Sequence, residues 1–137
     1  MSPGTLITTG AVLLAVAGIA YGGTFLLRVT TGGVPANDLQ KSFYRAGHAH
    51  AGVLVILGLV VRLLVNEANA PGWSSALADG VLFAAILMPA GFFLSVLGSN
   101  PQRPNALRYL IWLGAASLTV GVVGAGVGLI SAGLAAS

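Results

Sequence analysis

The side chains in this sequence best suited to ligate a soft metal or a haem iron are two histidines, and they lie two residues apart. They fall in Tyr44-Arg45-Ala46-Gly47-His48-Ala49-His50-Ala51-Gly52. Imidazole can ligate a metal or a haem iron through one ring nitrogen and hold a hydrogen bond through the other. Small residues surround both rings, which leaves room for a neighbouring backbone or a flat ligand. Residues i and i+2 of an α-helix are about 200° apart, so the two rings cannot easily ligate one ion from a regular helix. At most one of His48 and His50 is therefore expected to be a metal or cofactor ligand at a given site. The other is expected to bond a neighbour or reach toward lipid headgroups.

Other catalytic equipment is sparse. There is no cysteine, which removes thiolate sites and disulfides. The chain has three acidic residues, none near the middle of an apolar segment, which argues against a transporter that needs a buried carboxylate. No G-x-S-x-G, phosphate-binding loop or H-E-x-x-H pattern occurs. Met88-Pro89 lies deep in the third apolar segment and reads as a core methionine beside a proline kink.

The elements that must position the histidines follow from composition. Hydrophobic residues make up 56% and charged residues 7% of the 137, against about 25% charged in a soluble domain. Six basic and three acidic side chains cannot clothe a water-soluble surface of this size. The net charge of +3 sits between apolar segments, where lipid headgroups would be, and carries no argument for nucleic acid. Four apolar runs, at about 6–27, 43–65, 77–98 and 107–135, each suffice to cross a bilayer as a helix. The expected fold is an all-α, four-transmembrane-helix antiparallel bundle forming a single domain. The first run has no basic flank before Arg28 and reads as a retained helix, not a signal peptide.

The connections are short and rich in breakers: TTGGVPA, NEANAPGWSS and SNPQRPN. Asn37 or Asp38 is placed to cap a short amphipathic lead into the second helix. Arg28, Lys41, Arg45, Arg103 and Arg108 flank the first and third connections, and Arg62 alone lies toward the other side. That asymmetry predicts loops 28–45 and 98–108 in the cytoplasm and both termini outside. Arg62 and Asp79 could pair across the second connection, although snorkelling toward headgroups is the more ordinary fate of such charges.

Depth along each helix, at 1.5 Å per residue, defines one layer near the cytoplasmic face. It holds His48, His50, Tyr21, Thr24, Ser95 and Trp112, the expected cofactor-binding residues, although interfacial Tyr and Trp occur in any membrane protein. Gly18 and Gly22 form one G-xxx-G pattern. Gly124 and Gly128 form another, extended by Gly114 and Gly121. Such seams serve packing within a bundle or contact with a second chain. The former is the expectation here.

The stretch 44–59, YRAGHAHAGVLVILGL, resembles the histidine-bearing helix of the haem–copper oxidase superfamily and of small related four-helix bacterial membrane proteins. The resemblance implies a haem, of b type, with His48 or His50 as axial ligand, and the inner (plasma) membrane of a bacterium. The oxidases use further histidines on other helices. This chain has none, so oxidase chemistry is not implied. The leading functional expectation is a non-catalytic subunit or assembly partner of a membrane complex. A haem- or metal-binding protein using one histidine comes next. A small transporter or channel follows, with a thin polar path of Thr8, Thr9, Ser117, Thr119 and Ser131.

Overall fold

A computed structural model describes all residues, Met1–Ser137. The chain is all-helical, and four of its helical stretches are long and apolar enough to cross a membrane. Helix α1 spans Pro3–Thr30 and α2 spans Asp38–Glu67. The third crossing is divided into α3, Gly72–Ala78, and α4, Gly80–Leu94. A 3-10 turn at Ala106–Arg108 leads into α5, Tyr109–Ala135. The first two helices extend past the apolar runs because polar caps, not hydropathy, set their ends. Ser2 accepts from the Thr5 amide at 3.2 Å, and Pro3 sits in the first turn, where its missing N–H costs nothing. The third crossing stops at Leu94, short of the expected 98, because the chain turns there and Gly98 adopts φ +115°.

Neighbouring crossings run antiparallel, as their paired residues show. Along α4 and α5, Gly91 meets Ile111, Met88 meets Gly114, and Val81 meets Gly121. On α3, Leu77 meets Gly124 and Ser74 meets Gly128. Along α2 and α4, Tyr44 stacks on Phe93, Gly58 faces Leu82, and Arg62 pairs with Asp79. Along α1 and α2, Phe25 meets Tyr44 and Gly22 meets His48. The helix formed by α3 and α4 thus lies between α2 and α5. Helix α1 lies against α2 and touches the central core through Val12 and Ile19.

The packing is that of a membrane bundle. Only 24 of 137 residues are buried, and the buried ones are mainly Val, Ala and Gly. Leu14, Ile56, Ile86, Ile130 and Leu134 face outward. Small residues inside and large apolar ones outside suit a lipid surround, where close backbone approach replaces the hydrophobic drive. Gly114, Gly121, Gly124 and Gly128 are all buried against α3 and α4, so this seam is occupied within the chain. Met88 is buried over Gly114, a core residue with no part in the histidine region.

Polar side chains tie the two loops at one end together. Asn37 caps α2: its Oδ1 accepts from the Gln40 amide at 2.9 Å, and the Gln40 Oε1 accepts from the Asn37 amide at 3.1 Å. The same two amide groups reach across to the other loop. Asn37 Nδ2 donates to Asn100 Oδ1 and to the Pro101 carbonyl, at 2.9 and 2.7 Å. Gln40 Nε2 donates to the Val96 and Gly98 carbonyls, each at 3.1 Å. Gln40 is buried, so Gln40→Ala would leave these carbonyls unpaired as well as removing half the cap. The expected loss is about 2 kcal/mol. A lower melting temperature in detergent, with faster proteolysis at 95–105, is the expected result. An unchanged melt would show that the tie between the loops contributes little.

Candidate functional site

The histidine region takes its shape from three glycines and five aromatic rings. Gly47 is buried, and a Cβ there would come within 2.8–3.1 Å of Phe93 and Phe92. The missing side chain lets the aromatic pair of α4 sit directly on α2. Tyr44 stacks on Phe93 with centroids 5.5 Å apart and takes the edge of Phe25 at 5.4 Å. On the other side Phe43 meets Phe92 at 5.6 Å. Rings in such offset and edge-on contacts hold one another in place, so they form rigid walls.

The two imidazoles leave α2 in different directions, as their spacing requires. His48 points toward α1. Its ring lies over Gly22 and Gly23, where added Cβ atoms would approach Nδ1 and Nε2 at 3.7 Å. It opens into a groove of about 490 Å³ between α1 and the α2–α4 pair. The floor is Ala15, Gly18, Gly22 and Ala51, and the walls are Ile19, Phe25 and Phe93. No charged residue lines it. Neither ring nitrogen of His48 has a hydrogen-bond partner within the chain, whereas Nδ1 of His50 does.

His50 is held by its own helix. Its Nδ1 lies 2.7 Å from the Ala46 carbonyl, and its ring tilts onto Phe92 with centroids 5.0 Å apart. A carbonyl oxygen only accepts, so Nδ1 carries the proton and donates. This orients His50 but gives it no cavity. His48 has the cavity and is oriented by packing on bare glycine backbone.

The layer expected from depth alone does not assemble around either ring. Tyr21 and Trp112 are 77% and 72% exposed and point away from the groove. The Thr24 hydroxyl donates to the Tyr21 carbonyl at 2.7 Å on an exposed face. Ser95 is buried at the end of α4, its hydroxyl turned to the Phe92 carbonyl at 3.4 Å. All four lie at about the depth of His48 but at the wrong angle. Each residue turns the helix by about 100°, so the neighbours of Gly22 at positions 21 and 24 face elsewhere. The residues missed by that reasoning are Phe25 and Phe93, which line the groove beside Gly22, and Gly23, which seats the His48 ring. The adjacent pair Gly22-Gly23 was the available signal, since two bare positions together make a seat wider than a helix crossing requires.

The donor set limits what the groove could hold. No three His, Cys, Asp or Glu side chains come together, so a metal ion ligated by protein side chains alone lacks ligands. A haem needs only one or two axial ligands from protein. A free imidazole, a floor of small residues and aromatic walls fit one flat, apolar group approached from one face. No second ligand faces His48 across the groove. No family model, curated protein or solved structure matches the chain.

Proposed function

We propose that this chain is a small non-catalytic membrane protein that holds a flat, lipid-soluble ligand against His48, with haem b the ligand the donor set fits best. One observation carries the reading: His48, whose ring nitrogens have no hydrogen-bond partner within the chain, lines an apolar groove. A ligand atom in the groove would give the imidazole the partner that the chain does not supply. His48 would be the axial ligand. When bound, the iron would supply electron transfer or gas sensing, and the chain itself would contribute position and exclusion of water. The region offers no nucleophile or carboxylate, which suits a holding role more than catalysis.

The same geometry favours membership of a larger assembly. His48 would be the one residue of this chain to hold a haem iron, since no second ligand side chain lines the groove. A second protomer or a partner subunit would complete it. Passage of a solute fits less well, because Leu54, Val55, Ala84, Ala85 and Met88 form an apolar core between the histidine region and Arg62. The excess of basic residues at the loop end supports an orientation with that end in the cytoplasm and the termini outside, in a bacterial inner membrane.

The test is an absorption spectrum of protein purified in mild detergent from cells supplied with iron and haem precursor. A Soret band at about one haem per chain, or per two chains in a bridged dimer, is the expected result. A colourless preparation that also fails to take up added haem would overturn the haem reading.

A further inference from the structure

The far end of the bundle carries a second polar site, unrelated to the histidines. Arg62 on α2 pairs with Asp79 at the join between α3 and α4. The arginine side chain is 17% exposed and the aspartate 42%. Nη1 makes the only hydrogen bond of the guanidinium within the chain, and Nε is buried with no partner. Arg62 therefore keeps donor capacity that Asp79 does not use, and Asp79 keeps a carboxylate face open to solvent or ligand.

Two cavities meet at this pair. One, of about 180 Å³, is polar and includes Thr5, Asn66 and Ser75. The other, of about 520 Å³, runs between α1 and α4 past Thr8, Val12, Leu82, Phe83 and Ile86. Arg62, Asp79 and Thr5 line both. The combination is a cation and an anion side by side at the mouth of an apolar channel, at the end of a membrane-crossing bundle.

We infer that this cleft is a binding site for one phospholipid with an amine-bearing, zwitterionic headgroup. The phosphate faces the guanidinium of Arg62 and the hydroxyls of Thr5 and Ser75. The ammonium faces the open carboxylate of Asp79. One acyl chain lies along Val12, Leu82, Phe83 and Ile86. Charge complementarity selects the occupant: a phosphate alone would meet the repelling carboxylate of Asp79, and an amine alone would meet Arg62. A headgroup with both charges satisfies each partner.

Delipidated protein in mild detergent, examined by native mass spectrometry, tests this with dioleoyl phosphatidylethanolamine, dioleoyl phosphatidylglycerol and chainless phosphoethanolamine. The expected result is one phosphatidylethanolamine per chain, retained about tenfold more tightly than phosphatidylglycerol. Phosphoethanolamine should bind far more weakly, because it leaves the apolar channel empty. Asp79→Asn should erase the preference between the lipids, and Arg62→Gln should weaken both. Either change could unfold the chain, so Ile86→Trp supplies a variant that leaves the ion pair alone. Ile86 is 67% exposed at the channel, and a tryptophan there should expel the lipid without loss of helicity. Equal retention of the two lipids, tight binding of phosphoethanolamine, or lipid retention unchanged in Ile86→Trp each overturns the assignment. So does a dimer that Ile86→Trp dissociates with no lipid bound, since the occupant would then be a second copy.

Discussion

His48→Ala is expected to abolish haem binding, weakening it by about 100-fold or more, while His50→Ala leaves the spectrum nearly intact. Loss of a group that merely supports a ligating histidine weakens a site by about 10–100-fold. Loss of the ligand itself should reach at least the upper end. His48→Ala should not unfold the protein, because its ring forms no hydrogen bond within the chain and rests on glycine. Free imidazole added to His48→Ala should therefore enter the vacated space and restore the Soret band. Gly18→Leu gives an independent check. Nothing lies within 4 Å of a Cβ at Gly18, so the fold accepts the side chain, yet it fills the groove floor. That variant should be folded and colourless. The opposite pattern, a colourless His50→Ala beside a coloured His48→Ala, would move the site to the Phe92 side of α2 and overturn the assignment.

The two histidines show what a sequence can and cannot convey about such a site. Spacing alone establishes that they face apart, because helical rotation is a property of the backbone. The choice between them depends on what packs against each face, and that is set by the register of α1 and α4 against α2. Register in a membrane bundle follows from small residues distributed over whole helices, not from a local pattern. The same limit explains Tyr21, Thr24, Ser95 and Trp112. Their depth is a one-dimensional quantity readable from distance to the nearest charge. Their facing is not, since no amphipathic pattern marks the inward side of a helix whose outer face is equally apolar. The four crossings were legible for the converse reason: long uncharged runs have one stable backbone solution in lipid. The Arg62–Asp79 pair was visible as a geometric option across a short connection. The tie from Asn37 and Gln40 to the other loop was half visible. The cap belongs to local sequence, but the reach to Val96, Gly98, Asn100 and Pro101 spans about 60 residues of chain.

Gly121→Ala is expected to destabilise the bundle by about 1–3 kcal/mol, although alanine is the better helix former. A Cβ at Gly121 would stand 2.8 Å from the Val81 amide nitrogen and 3.2 Å from the Gly80 carbonyl carbon. Those are backbone atoms and cannot rotate aside. They are also held in place, since the Ser117 hydroxyl donates to the Gly80 carbonyl at 2.8 Å one turn away. The helices must therefore separate, and every contact along the seam from Met88–Gly114 to Ser74–Gly128 weakens together. Gly126 lies on the same helix with nothing within 4 Å of its Cβ position, so Gly126→Ala isolates the propensity effect and should be neutral or stabilising. Gly18→Ala, also with open space, should behave like Gly126→Ala. The two G-xxx-G patterns of the chain would then separate by function. The one on α5 draws helices together, while the one on α1 keeps a space open beside an imidazole. Reversible unfolding in mixed detergent micelles measures all three variants. Equal stability of Gly121→Ala and Gly126→Ala would mean that α4 and α5 can separate without cost, and the close seam would not be what holds the bundle together.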